Sequence, residues 1–206
     1  MKIVMFGATG RVGKSIVEKG IKEGHQIIAF VRNVSKLRME NPNLSIVEGD
    51  IHNREQLREI SRLEFDAAIN AIGADPLKPS SVFTESTKSI IDMLSNSKSK
   101  RYIAITGTAQ MSKTLLGKLT IFLLRRTPVR HGIRDHQYAY DLVAHSDLNW
   151  TLIGCPYIKD GDEKRTFKTS TVFPGGFKTI HPGDVAQAIL NELGKLNYRQ
   201  IIGIWY

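Results

Sequence analysis

The residues with the most chemistry in their spacing come first in the chain. Gly7-Ala8-Thr9-Gly10-Arg11-Val12-Gly13 follows the short apolar run Lys2–Phe6 and opens a stretch, Val12–Glu23, with Val12, Ile16, Val17 and Ile21 at helical spacing. A strand, a glycine-rich turn and a helix in that order form a cradle for phosphate. The first glycine permits a tight turn, the next lets backbone approach a pyrophosphate, and the last lets the helix pack closely on the strand. The phosphates then face unpaired N–H groups and the positive end of the helix dipole. The spacing is Gly-x-x-Gly-x-x-Gly rather than Gly-x-Gly-x-x-Gly. An ordinary strand-to-helix turn has no need of three glycines, so the expectation is a bound dinucleotide, with Gly7, Thr9, Gly10, Arg11, Val12 and Gly13 around its phosphates.

The second strand discriminates between the two nicotinamide dinucleotides. Where NAD is bound, an acidic residue about 20 residues after the glycines holds the ribose hydroxyls. Here the apolar run Gln26–Val31 ends Phe30-Val31-Arg32-Asn33, with an arginine where the acid would be. A guanidinium fork suits a 2′-phosphate, which a carboxylate would repel. Arg32 therefore points to NADPH (NADP), with Arg11 as a second contact and Lys36 or Arg38 as further candidates.

Other reactive residues carry weaker signals. Six histidines and one cysteine give no metal signature, and His131 and His136, five apart, do not share a helix face. Cys155, beside Pro156, reads as a small buried apolar residue rather than a nucleophile. With a single cysteine no intramolecular disulfide forms, and no apolar run has the length of a signal peptide or a membrane span. A cytoplasmic setting is the expectation.

These residues need a scaffold. Strand-like runs at Lys2–Phe6, Gln26–Val31, Leu44–Glu48, Asp66–Ile72, Arg101–Thr106, Trp150–Ile153 and Ile201–Trp205 alternate with helical patterns. The helical patterns are Val12–Glu23, Arg54–Arg62, Ser80–Asn96, His131–His145 and Pro182–Leu193, the first closed by Gly24. Strands separated by helices pair in parallel through crossovers. The prediction is an α/β, doubly wound, mostly parallel sheet (a Rossmann fold) forming a single domain over residues 1–206. Substrate-side segments are expected at about 110–130 and 155–180, including a small C-terminal extension, with ligand at the carboxyl ends of the strands. The stretch Tyr157–Gly176 reads as an irregular loop.

The formal net charge is +9 over 206 residues. That balance favours an anionic partner, although no basic block is long. Nucleic acid is not expected, because no recognition helix or interleaved basic and aromatic stripe is present. Leu115–Leu124 is apolar on more than one side and is flanked by Lys113, Arg125 and Arg126. A core-packed helix or a lid over the substrate is the simpler expectation. A dimer contact or a membrane-surface helix remains open, as does the choice between monomer and homodimer.

Together these motifs resemble the atypical short-chain dehydrogenase/reductase group with NAD(P)H-binding domains. The likeness is strongest to flavin reductase/biliverdin-IXβ reductase and to bacterial NADH-flavin reductase-like proteins. It covers nearly the whole chain and is most specific over Lys2–Asn33. It implies that Asp50 and Ile51 lie beside the adenine, that Ala71 and Gly73 border the ribose and phosphates, and that Thr106 lies near the nicotinamide. Pro156, Tyr157 and Ile158 would form the nicotinamide-side loop. Typical members of the superfamily carry Tyr-x-x-x-Lys, in which lysine lowers the tyrosine pKa. Tyr138 and Tyr140 are followed four residues on by Leu142 and Ala144, so that pair is missing. The flavin-reductase type also lacks it and works by placing the nicotinamide against a planar acceptor.

The resemblance thus implies an NADPH-dependent reductase of a flavin, quinone or similar small planar acceptor. FMN or FAD would enter as substrate rather than as bound cofactor. Thr106, His136 (in Arg134-Asp135-His136) and Tyr140 are the candidate catalytic residues; a surface histidine at a helix start is the plainer reading of His136. A non-catalytic NADP-binding sensor or regulator is the competing function.

Overall fold

The structure is a computed structural model that describes residues 1–206 except Pro76 and Asn197. Among the described residues there are ten strands and six α-helices. They are β1 (Lys2–Phe6), α1 (Arg11–Lys22), β2 (Gln26–Val31), β3 (Leu44–Glu48), α2 (Arg54–Ser61), β4 (Ala67–Asn70), α3 (Val82–Ser95), β5 (Arg101–Gly107), α4 (Leu115–Leu124), α5 (Arg130–Ala144), β6 (Asn149–Cys155), β7 (Tyr157–Ile158), β8 (Lys168–Ser170), β9 (Thr179–Ile180), α6 (Pro182–Asn191) and β10 (Gln200–Trp205).

Eight strands form one sheet in the order β3-β2-β1-β4-β5-β6-β10-β8, and β7 pairs with β9 in a second small sheet. Every neighbouring pair is parallel except β10 with β8. The strand order reverses between β1 and β4, which creates a crevice at their carboxyl ends. Lone apolar runs build this sheet because it is covered on both faces. Ile3 and Met5 of β1 join Ile16 and Val17 of α1 and Val185 and Ile189 of α6 in one core. Val4 and Phe6, pointing the other way, join Leu57 of α2, Ile90 and Leu94 of α3 and Val143 of α5 in the second.

Two expectations are corrected. Tyr157–Gly176 is not wholly irregular: it contains β7 and β8, the latter extending the main sheet antiparallel to β10. A side cluster of Met111, Phe173 and Trp205 secures that extension. In addition, α4 is not packed into the core; of its ten residues only Gly117 is buried. Among the described residues no helix is long and apolar enough to cross a membrane.

Candidate functional site

The glycine turn lies at the end of β1, beside the crevice. Gly7 has φ +81°, and a Cβ there would lie 2.5 Å from the Ala71 carbonyl carbon and the Ile72 nitrogen. At Gly13 a Cβ would lie 2.0 Å from the Gly7 oxygen. Only glycine fits either place, since one needs a left-handed backbone and both need the absent side chain. The Gly10 N–H donates to the Gly7 oxygen at 3.0 Å, closing the turn. Ala71 N–H donates to the Phe6 oxygen at 3.0 Å and brings the segment after β4 against the turn.

Helix α1 begins here without a side-chain cap, and its first turn holds no acid. Three of the other helices are closed by side chains, whereas α5 and α6, like α1, have no side-chain cap. Asn53 caps α2 through Glu55 and Gln56, and Thr114 caps α4 through the Gly117 N–H. At α3 the N–H of Val82 donates to Ser80, and those of Phe83 and Thr84 donate to the carboxylate of Asp135. The opening of α1 therefore retains its donors and its positive dipole end for an anion.

Arg32 lies just past β2, whose Phe30 pairs in register with Phe6 of β1. Its side chain is exposed, and the next residue, Asn33, accepts from Ser35 N–H at 2.9 Å to cap a single 3₁₀ turn, Val34–Lys36. No carboxylate pairs with Arg32 among the described residues. Lys36 and Arg38 are also exposed on this side. Arg11 is different: its guanidinium pairs with Asp160, in the segment after β7. Both partners are exposed, so the pair contributes about 0–1 kcal/mol, and a dianionic phosphate competes readily with it.

Asp50 follows β3, where one carboxylate oxygen accepts the His52 N–H at 2.9 Å. Its neighbour Ile51 is buried. Ala71 is buried and Gly73 is exposed, with nothing near its Cβ position. At the other end of the crest, Pro156 is half-buried, Tyr157 is exposed and Ile158 packs onto the core. The structure thus lines the sequence-predicted cofactor residues along the carboxyl ends of β1 to β6.

Thr106, His136 and Tyr140 meet around one narrow cleft between β4, β5, α3 and α5, with Asn70, Ile72 and Phe83 as further walls. Thr106 is buried at the end of β5. The His136 ring is half-buried and stacks on Phe83, centroids 3.8 Å apart. Burial pushes its pKa down to about 4, against a smaller opposing effect of Asp135, so the imidazole is neutral at pH 7. His136 is therefore a hydrogen-bonding group there and not an imidazolium. The plainer reading, a surface histidine, is corrected by this packing. Tyr140 meets Trp150 edge-on at 6.1 Å and leans into the core as well as toward the cleft. Tyr138 is exposed and bonds Arg134. Cys155 is buried, which raises its thiol pKa and keeps it protonated.

Sequence reasoning missed three residues that shape this region. Asn70 donates to Ser86 and Tyr102 at 3.2 and 3.1 Å and accepts from Ile72 N–H, fixing the segment after β4. Asp135 anchors α3, and Asp160 holds Arg11. Each acts across a long separation in the chain, for which sequence spacing offers no signal. Among the described residues no group of three His, Cys, Asp or Glu could hold a metal ion.

The family model for NAD(P)H-binding proteins matches residues 7–195, from the first turn glycine to beyond α6. The chain belongs to the NAD(P)H-binding family. Uncharacterized protein YwnB of Bacillus subtilis is 28% identical over 204 residues, covering 94% of this chain and 92% of that protein. Among solved structures, SP1627 of Streptococcus pneumoniae, a proposed NADH-flavin reductase, superposes with a TM-score of 0.80 at 24% identity, over 100% of this chain and 99% of that one. ChuY, an anaerobillin reductase from Escherichia coli O157:H7, gives 0.80 at 17% identity, over 99% and 96%. These likenesses show that the doubly wound architecture is shared.

Proposed function

We infer that this NAD(P)H-binding protein is an NADPH-dependent oxidoreductase that passes hydride to a flavin, quinone or similar planar acceptor. One observation carries the reading: the uncapped start of α1, the unpaired Arg32 and the Thr106–His136 cleft lie along the same edge of the sheet. The residues present fit the dinucleotide. Gly7 and Gly13 leave a backbone cradle that a Cβ would fill, and Arg32 is an exposed guanidinium without a carboxylate partner.

When bound, NADPH supplies a hydride equivalent. The amides of Arg11, Val12 and Gly13 would hold the pyrophosphate, and Arg32 would hold the 2′-phosphate, with Asp50 and Ile51 on the adenine side. Ala71 and Gly73 would border the ribose. Pro156, Tyr157 and Ile158 would close the nicotinamide side. Thr106, at the tip of β5, and neutral His136 offer hydrogen bonds to an acceptor edge. Orientation then carries most of the rate advantage, as suits a chain without Tyr-x-x-x-Lys.

A second reading is a non-catalytic NADP-binding sensor. The Phe83–His136 stack favours it, because it fills much of the cleft that an acceptor would enter. NADPH oxidation assays with FMN and with a quinone separate the two. Acceptor-dependent oxidation, reduced in His136→Ala with NADPH affinity kept, supports the enzyme. Tight NADPH binding without oxidation by any acceptor assigns the sensor.

A further inference from the structure

Helix α4 presents an apolar stripe to solvent. Leu115, Leu116, Leu119, Phe122 and Leu123 are each more than half exposed. At 3.6 residues per turn they fall within an arc of about 120°. The opposite side is fixed to the protein. Thr114 donates to the Pro174 oxygen at 2.9 Å, Gly176 N–H donates to Thr120 at 3.0 Å, and Gly117 abuts Gly175. The same loop projects Phe177, 95% exposed, beside the helix. The stripe therefore has a rigid base and no cover.

The two segments that build this face carry charge of one sign. No Asp or Glu occurs from position 93 to 134 or from 164 to 183, the two segments that meet here. They contribute Lys113, Lys118, Arg125, Arg126, Arg130, Lys168 and Lys178. None of these forms a salt bridge among the described residues. The Arg126 guanidinium lies over the Phe122 ring at 3.6 Å and donates to the Phe122 oxygen at 3.2 Å, which places a cation against the stripe. A second copy laid on this face would bring cations against cations. Apart from Arg126, the exposed residues of the stripe are Leu and Phe, with no polar side chain to orient a protein partner. A fluid apolar phase under an anionic surface meets both features.

We propose that α4 and the Phe177 loop form a peripheral docking face for an anionic phospholipid bilayer. The helix lies in the interface, its Leu and Phe side chains reach the acyl boundary, and the surrounding cations contact the headgroups. Ten residues rise only about 15 Å, half the apolar thickness of a bilayer, so the helix rests on the membrane and does not cross it. This face is independent of the cofactor reading.

The test is flotation of the full chain with phosphatidylcholine vesicles, with and without phosphatidylglycerol. The chain is expected to float only with the anionic vesicles and to be released by salt. Arg125→Gln/Arg126→Gln is expected to weaken partitioning about five-fold per charge. Leu119→Glu/Phe122→Glu is expected to abolish it with the melting temperature unchanged, since both side chains are exposed. Failure of the native chain to float with anionic vesicles overturns the proposal and leaves the stripe to an acidic protein. Floating that persists in Leu119→Glu/Phe122→Glu also overturns it. So does a dimer in sedimentation that this variant dissociates, without vesicle binding, since that gives the face to a second copy.

Discussion

Arg11 and Asp160, 149 positions apart, are joined by an ion pair that ties the glycine turn to the segment after β7. The cation nearest the expected phosphates is thus already held by a carboxylate. A ligand with its own negative charge must share Arg11 or take it over. Replacing Asp160 by Asn is therefore expected to tighten NADPH two- to five-fold, consistent with about 0–1 kcal/mol for an exposed pair. Isothermal titration measures this, and weaker binding in the variant would show that the pair organises the site.

Arg32 has no such competitor. Arg32→Ala is expected to lose about 1.5–3 kcal/mol of NADPH binding, ten-fold or more, with little change for NADH. Fluorescence titration with both dinucleotides checks it. Equal affinity of the native protein for the two would remove the 2′-phosphate role.

Gly13→Ala places a Cβ 2.0 Å from the Gly7 oxygen. Because both atoms belong to the tightest part of the turn, relief requires moving α1 away from β1. The variant is expected to be less stable by roughly 1–3 kcal/mol or more and to lose dinucleotide binding. Thermal denaturation with and without NADPH follows both effects.

Asp135 secures α3 from α5, accepting the N–H groups of Phe83 and Thr84 at 3.0 and 2.9 Å and the Thr84 hydroxyl at 2.5 Å. Asp135→Ala removes that cap and leaves part-buried donors without an acceptor, at an expected cost of roughly 1–3 kcal/mol. Urea unfolding measures it. Because α3 carries Phe83, loosening of the Phe83–His136 stack is expected alongside.

His136 should make the protein sensitive to acid. Its folded pKa, about 4, lies below the ordinary 6.5, so between those values the unfolded chain binds the proton and the folded chain does not. Its contribution is complete above pH 6.5 and is lost progressively as the pH falls toward 4, on the order of 1–3 kcal/mol. His136→Gln is expected to flatten the stability profile over that window. No activity transition near pH 6.5 should arise from this residue, which a pH–rate profile tests.

The strands and most helices were legible because their signal is local. Unbroken apolar runs such as Ile3–Phe6 mark strands buried on both faces, and the spacing of Val12, Ile16 and Val17 marks a helix on one of them. β7, β8 and β9 escaped because strands of two or three residues have no periodicity to read. For α4, composition showed an apolar helix with basic flanks, and only packing decided that its stripe points outward.

The sequence by itself determined the glycine turn, since its left-handed backbone and missing side chains are properties of the residues present. It also determined the charge at the end of β2, because an arginine is cationic wherever it lies. Tertiary structure alone decided which charges have partners. Among the described residues it left Arg32 without a carboxylate partner, held Arg11 by Asp160, and lowered the His136 pKa by burying the ring against Phe83. Through-space pairing and desolvation depend on where the chain returns, and spacing along the sequence does not encode that.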